Sequence, residues 1–438
     1  MDGEKMVRSR MHRLKVLVRS GMNRHHPTRR DLRGRGYFNR IGPGLVTGAA
    51  DDDPSGIGTY AQIGAATGFG MLWSAPLLLP LAIAVQESCA RLALANRAGL
   101  ARIMKRNFPK PVVFAAVSLI VIANTVNIAA DIASMAAAIQ LLVPLPQLIG
   151  VVLLSIGIGA TEILVPYHRY RNGLRWLCVS LLAYVAVLFA IEVPWSAVWR
   201  SVAMPEISLD RTTLAAFIAL AGTTISPYLF VWQAAEEFEE MKFGVADIST
   251  RHITSMRVDV ALGMLSGVVI MFSIMVTTGI TLHPNGITSI STAEEAASAL
   301  TPLAGDSAGL LFALGILGTG LLAVPVLAGA SAYAVAELLE WPEGLERKPR
   351  QATAFYGVIA TSMAVGVALN FVGIDPMHAL FIAAVTNGLA APILLLLIGI
   401  LNARASVMGE LKSGYLSSGM VFLTMIIMLA APIAWMLT

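Results

Sequence analysis

The sequence predicts an all-α integral membrane protein of eleven transmembrane helices, with helices 1 and 6 broken. Three observations carry this. Across 438 residues the mean hydropathy is +0.71 and only 13% of residues are charged, too apolar a chain for a soluble enzyme with one large core. Apolar runs of about 20 residues, the length a helix needs to cross a bilayer, recur throughout. Two of these runs are interrupted by a proline behind polar residues, at Asp51-Asp52-Asp53-Pro54 and at Ser226-Pro227.

Residues 1–40 hold 12 Lys/Arg against 3 Asp/Glu, so this segment is a basic tail of net charge +9. Such juxtamembrane basic runs set orientation and touch anionic lipid more commonly than they bind nucleic acid, so no nucleic-acid partner is expected. The tail lacks the apolar stretch of a secretory signal, and the first span is expected to be retained. Spans follow near 41–68, 72–95, 112–142, 148–165, 173–194, 212–236, 258–281, 307–338, 352–372, 377–401 and 415–437. The eighth is long, but Gly315, Gly318 and Gly320 within it read as close packing, not as a join between two short spans.

Charge orients the chain. With the N-terminus inside, the tail and the loops near 96–111, 166–172, 237–257, 339–351 and 402–414 are cytoplasmic, and with adjoining helix ends they carry 29 of the 31 Lys/Arg. Only Arg200 and Arg211 fall outside. Removing or adding one span would reverse the later basic loops, so eleven is the count that fits, and the C-terminus is expected outside. The expected setting is a cell membrane crossed many times, with the bilayer as partner and no obligate protein partner evident. Cys89 and Cys178 are too few for a disulfide framework or a thiolate site and read as small packing residues.

Three carboxylates within an apolar span cost about 9 kcal/mol at roughly 3 kcal/mol each. They persist only if they face protein or water and their charge is balanced. Proline disfavours α geometry at the preceding residue and accepts the first helical position. Asp53-Pro54 and Ser226-Pro227 therefore each read as a cap followed by a second half-helix. Capping alone accounts for at most one carboxylate of the triad. The half-helices before the breaks offer unpaired carbonyls, from Ala50 and Asp51 in one and Thr223 and Thr224 in the other. Carbonyls at the negative end of a helix beside carboxylates attract cations. The breaks lie five spans apart, so spans 1–5 (41–195) and 6–10 (212–401) read as inverted repeats with the site between them, leaving 415–437 as an added helix.

The donors are hard. Neither break contains Met, Cys or His, and oxygen from Asp53, the Ser226 hydroxyl and the Thr223 carbonyl suits Mg²⁺ or Mn²⁺, with Gly56 and Ser226 leaving room for retained water. Asp51 and Asp52 are expected to shape the field around Asp53. On the third span Asn124, Asn127, Asp131 and Ser134 share one helical face. They read either as the wall of an aqueous pathway or as interhelical hydrogen bonding. Gln62, Gln233 and Asn387 are candidate supporting groups, with packing as the alternative for Asn387. Glu236 and Glu237, with Glu239 and Glu240, are either an inner vestibule for cations or a solvated helix end.

Residues 42–73, from Gly42-Pro43-Gly44-Leu45 through Asp53-Pro54 to Phe69-Gly70-Met71-Leu72-Trp73, resemble the first span of the NRAMP divalent-metal transporter family. The resemblance extends over most of the chain and implies the LeuT-type fold, with ten spans in two inverted repeats and a peripheral eleventh. Departures from the family pattern are specific. Where the family has Asp-Pro-Gly-Asn, this chain has Asp53-Pro54-Ser55-Gly56. Where it has Met-Pro-His, this chain has Ser226-Pro227-Tyr228. A further family histidine corresponds to Gln233. Asp131 matches a family acid linked to proton movement, whereas its neighbouring acid is Ser134. These site residues are similar to those of the NRAMP-related magnesium transporters, which implies Mg²⁺ import, with Mn²⁺ also carried and without proton coupling. The alternatives are a proton-coupled Mn²⁺/Fe²⁺ transporter and, more remotely, a sodium-coupled organic-solute symporter of the same fold. No nucleotide loop or catalytic triad is present, so no enzyme and no cofactor is expected, the metal being substrate.

Overall fold

The computed structural model describes residues 43–165, 181–205, 207–243, 250–345 and 347–438. The basic tail, Cys178, the 166–172 loop and the start of the fifth span lie outside the described residues. The first span is two half-helices, α1 (Pro43–Asp51) and α2 (Pro54–Thr67). Between them Asp53 is extended, with φ −70° and ψ 169°, the conformation a following proline imposes. Pro54 takes the first helical position, where its missing N–H costs nothing. α2 stops at Gly68, whose φ of 58° and ψ of −115° suit only glycine.

The chain continues through α3 (Ser74–Asn96), α4 (Leu100–Asn107), α5 (Lys110–Gln140), α6 (Gln147–Leu164), α7 (Leu182–Ala190) and α8 (Trp195–Ala203). The sixth span is again two pieces, α9 (Arg211–Thr224) and α10 (Pro227–Phe243), and the second piece runs seven residues past the expected end at 236. Then come α11 (Thr250–Thr281), α12 (Ala308–Leu339), α13 (Thr353–Leu369), α14 (Pro376–Ala403) and α15 (Tyr415–Leu437). Among the described residues nine helical segments are long and apolar enough to cross a membrane. The half-helices α1 and α2 and the short α7 are not among these nine.

Two boundaries differ for physical reasons. The fifth span ends at Ala190 and not 194, because Pro194 forces extended backbone just before it and a separate short helix, α8, begins at Trp195. The seventh helix starts at Thr250 and not 258, since the polar stretch from Thr250 to Arg257 continues the helix beyond its apolar part. The eighth span is one helix, as its glycines imply, with Pro325 inside it.

The broken helices are central. The most apolar stretch of Arg211–Met241 is 89% buried, against 22% for Gln147–Leu164 and 28% for Tyr415–Leu437, which places α6 and α15 at the lipid-facing periphery. Small residues bring backbones together, as membrane helices require in place of a hydrophobic drive. A Cβ on Gly44 would lie 2.6 Å from the Val260 nitrogen, and one on Gly48 would overlap Gly263, so α1 lies directly on α11. A Cβ on Gly222 would overlap the Ala384 carbonyl and the Gly388 nitrogen, so α9 lies equally close on α14.

Candidate functional site

Asp53 stands in the gap between α1 and α2. Its Oδ1 accepts a hydrogen bond from Gly56 N at 2.7 Å, which caps α2. Its Oδ2 accepts from Asn127 Nδ2 at 3.0 Å and, more weakly, from the Tyr228 hydroxyl at 3.4 Å. Capping therefore uses one of the two oxygens and leaves the other to face α5 and α10. The Tyr228 hydroxyl also donates to the Ala50 carbonyl at 2.7 Å, so the second half of span 6 is tied to the frayed end of α1.

Asn127 is the hub. Its amide donates to Asp53 Oδ2 and to Asp131 Oδ2, each at 3.0 Å, while its Oδ1 accepts from Asn387 Nδ2 at 2.8 Å and from Ser55 Oγ at 3.2 Å. Ser55 N donates to Asp131 Oδ1 at 3.1 Å, so a residue next to Pro54 binds the acid of α5 through its backbone. One network thus joins α2, α5, α10 and α14. None of Asp51, Asp52, Asp53, Ser55, Asn127, Asp131, Thr223, Ser226, Tyr228 or Asn387 is more than 2% exposed, so the break is closed to both faces. Asp51, Asp52, Asp53 and Asp131 share this enclosure, and among the described residues no ion pair offsets them. Buried negative charge of that kind needs a cation or its equivalent.

The expected donors gather on the other wall. Ser226 donates to the carbonyls of Gly222 at 2.6 Å and Thr223 at 2.7 Å, closing the broken end of α9. A Cβ on Gly56 would lie 3.2 Å from each of three oxygens, Asp51 O, Thr223 Oγ1 and Tyr60 Oη. A side chain there would press on all three, so Gly56 is what lets oxygens from both broken helices approach the start of α2 closely. The donor set is carboxylate, carbonyl, hydroxyl and amide, which suits hard divalent ions. Among the described residues no three His, Cys, Asp or Glu side chains converge on a point, so any metal held here draws on backbone and neutral oxygens beside Asp53.

Other candidates are placed elsewhere. Asn124 donates to Ser331 Oγ and the Leu327 carbonyl of α12, the interhelical bonding alternative, and Ser134 bonds the Asp131 carbonyl. Gln62 ties the far end of α2 to Thr288 and Ile290, away from the break. Gln233 accepts from Thr47 at 2.7 Å and donates to Glu237 at 3.2 Å, so these form a chain along α10 toward its C-terminus. Glu236 is half-buried on the next position. Cavities of about 450 Å³, lined by Ile139, Leu153, Ile158 and Leu321, and about 290 Å³, lined by Gln140, Glu294 and Asp375, both lie apart from the acids.

Several contributors carried no sequence signal. Ser55, Tyr60 and Thr47 are small or aromatic residues of an apolar helix. Met271 is the notable one: its sulfur lies 3.6 Å from Thr224 Oγ1, so α11 brings a thioether beside the span-6 break although neither break contains one.

Residues 44–438 match the family model described as natural resistance-associated macrophage protein-like. The divalent metal cation transporter MntH of Yersinia pestis is 29% identical over 302 residues, 67% of this chain and 71% of that protein. MntH of Erwinia tasmaniensis is 27% identical over 291 residues, 65% and 68% of the respective chains. In fold, the chain is similar to the manganese transporter of Eremococcus coleocola, with a TM-score of 0.70 at 16% identity over 91% of this chain and 87% of that one. It is also similar to Mhp1, a nucleobase-cation-symport-1 family transporter, with a TM-score of 0.58 at 14% identity over 91% of both chains. These neighbours are LeuT-fold transporters. The protein belongs to the natural resistance-associated macrophage protein-like (Nramp) family of membrane transporters.

Proposed function

We propose that this chain imports Mg²⁺, and also Mn²⁺, through a site at the breaks of helices 1 and 6, without proton coupling. The observation that carries the proposal is the ring of oxygens at the two breaks: Tyr228 Oη between Asp53 and the Ala50 carbonyl, Ser55 Oγ, and Thr223 Oγ1 and the Asp51 carbonyl beside Gly56, with Asn127 donating its amide to Asp53. Without sulfur or imidazole in that ring, nothing filters soft ions from hard ones. The metal is held by Asp53 with carbonyl oxygen from Ala50 and Thr223 and hydroxyl oxygen from Ser226, and Gly56 leaves space for retained water. Eleven helices in two inverted repeats, the N-terminus inside and the C-terminus outside belong to the same reading, supported by the distribution of Lys and Arg.

A second reading, proton-coupled Mn²⁺ transport, has two observations in its favour. Met271 provides a thioether near the break, and Asn127 links Asp53 to Asp131. Uptake of Mn²⁺ into proteoliposomes with internal pH recorded and Mg²⁺ added in excess separates the two. Our proposal expects Mg²⁺ to suppress Mn²⁺ entry with no acidification. Proton influx matching metal entry, with indifference to Mg²⁺, overturns it. Metal uptake that persists without sodium excludes a sodium-coupled symporter.

A further inference from the structure

The two broken spans are tied to each other twice, and the ties cross. Tyr228, on the second half of span 6, donates its hydroxyl to the Ala50 carbonyl at the broken end of α1, at 2.7 Å. Tyr60, on the second half of span 1, hydrogen-bonds the Thr224 side chain at the broken end of α9. Thr224 Oγ1 gives its proton to the Leu220 carbonyl at 2.9 Å, which leaves its oxygen to accept from Tyr60. Tyr60 lies nearly two turns along α2 from Asp53, but side chains on a helix lean toward its N-terminus and cover the residue one turn back. That residue is Gly56, where a Cβ would lie 3.2 Å from Tyr60 Oη, so the lack of a side chain at 56 lets the hydroxyl settle beside the break. Both tyrosines are fully buried. A phenylalanine would fill either place with the same ring and bring no hydroxyl to satisfy. What each hydroxyl adds is a link to the opposite span.

The links act on carbonyls. Tyr228 holds that of Ala50 directly. The carbonyl of Thr223 belongs to the planar peptide that joins it to Thr224, so anchoring the Thr224 side chain fixes where that carbonyl points. We propose that Tyr60 and Tyr228 are positioning residues that set the ionic size the site accepts, by holding the Ala50 and Thr223 carbonyls at a spacing that suits a small divalent ion and disfavours Ca²⁺. This rests on the reading that the ion binds between Asp53 and these two carbonyls. Mg²⁺ takes oxygen at about 2.0–2.1 Å in strict octahedral geometry, and Ca²⁺ at about 2.3–2.6 Å in a looser shell. Fixed walls therefore favour the smaller ion, and yielding walls admit the larger. Loss of either tie frees one wall and leaves the other tie and the Asp53–Gly56 bond in place.

The test is equilibrium binding of Mn²⁺ to the purified full chain in uncharged detergent, with free Mn²⁺ read by electron paramagnetic resonance and bound Mn²⁺ displaced by Mg²⁺ or Ca²⁺. The wild type is expected to yield its Mn²⁺ to Mg²⁺ at lower concentration than to Ca²⁺. Tyr60→Phe and Tyr228→Phe are each expected to move the ratio of Mg²⁺ to Ca²⁺ affinity toward Ca²⁺ by about tenfold, the scale on which a ligand's supporting partner acts. Thr224→Val removes the other end of the Tyr60 bond and is expected to shift the ratio alike, with the Tyr60→Phe, Thr224→Val double variant moving it no further. Loosened packing alone would weaken both ions together and leave the ratio unchanged. A wild-type ratio in either tyrosine variant, or parallel loss of Mg²⁺ and Ca²⁺ affinity, overturns the proposal, and leaves the site reading standing if Asp53→Ala no longer binds Mn²⁺. Mn²⁺ retained by Asp53→Ala overturns the site reading and this proposal with it.

Discussion

Asn127→Ala separates support of the metal site from mere packing. The side chain makes four hydrogen bonds: to Asp53 Oδ2 and Asp131 Oδ2 at 3.0 Å, and from Asn387 Nδ2 at 2.8 Å and Ser55 Oγ at 3.2 Å. Two of these end on carboxylates, and a bond to a charged group is worth about 1.5–3 kcal/mol. Truncation therefore removes about 3–6 kcal/mol from the local network before relaxation. Asp53 keeps its bond from Gly56 N at 2.7 Å, so the carboxylate stays near the break but loses the donor that aims Oδ2. Removing the partner of a ligating carboxylate costs about 10–100-fold in metal affinity, or roughly 1.4–2.7 kcal/mol. Calorimetric titration with Mn²⁺ measures the affinity, and thermal unfolding of the same sample measures the stability. The expected result is a fall in both, with Asn127→Asp weaker still because it sets a third carboxylate against two. A variant that melts earlier but binds Mn²⁺ with wild-type affinity refutes the network's role in holding metal.

Asp53→Ala is expected to abolish metal transport in proteoliposomes while the protein still folds, since the helix cap it loses is worth about 1 kcal/mol. Ser226→Met is expected to shift preference toward Mn²⁺, read as a lower potency of Mg²⁺ in competing with Mn²⁺ uptake, because a thioether then faces the broken end of α9. An unchanged competition curve counts against a ligand position at 226. Gly222→Ala is expected to lower thermal stability by about 1–3 kcal/mol, the usual cost of overpacking, because its Cβ overlaps Ala384 and Gly388; a wild-type melting temperature would show that α9 and α14 are not pressed together.

The breaks were legible because their signals are local. A proline fixes the backbone of the residue before it, and an acid beside it inside an apolar run stands out whatever surrounds it. The polar face of α5 was legible as a face but not in its division of labour. From Asn124 to Ser134 the helix rises about 15 Å, longer than the site is wide, so Asn127 and Asp131 meet the break while Asn124 meets Ser331. Gln62 fails for the same reason, lying well over two turns along α2 from Asp53. Met271 was not legible at all. It belongs to a mostly apolar stretch of α11, and only the packing of the folded chain brings its sulfur beside Thr224. Helix ends were misread where hydropathy marks the edge of the bilayer and the helix continues past it, as at Thr250 and Phe243.

The central claim is that Asp53 ligates the transported ion between the two broken helices. The most direct test is a structure of the chain with Mn²⁺, with the ion located by its anomalous scattering. The account predicts a peak between the breaks, within about 2.0–2.6 Å of an Asp53 carboxylate oxygen and of carbonyl oxygen from Ala50 or Thr223. Bound Mn²⁺ with no Asp53 oxygen in its coordination would contradict it.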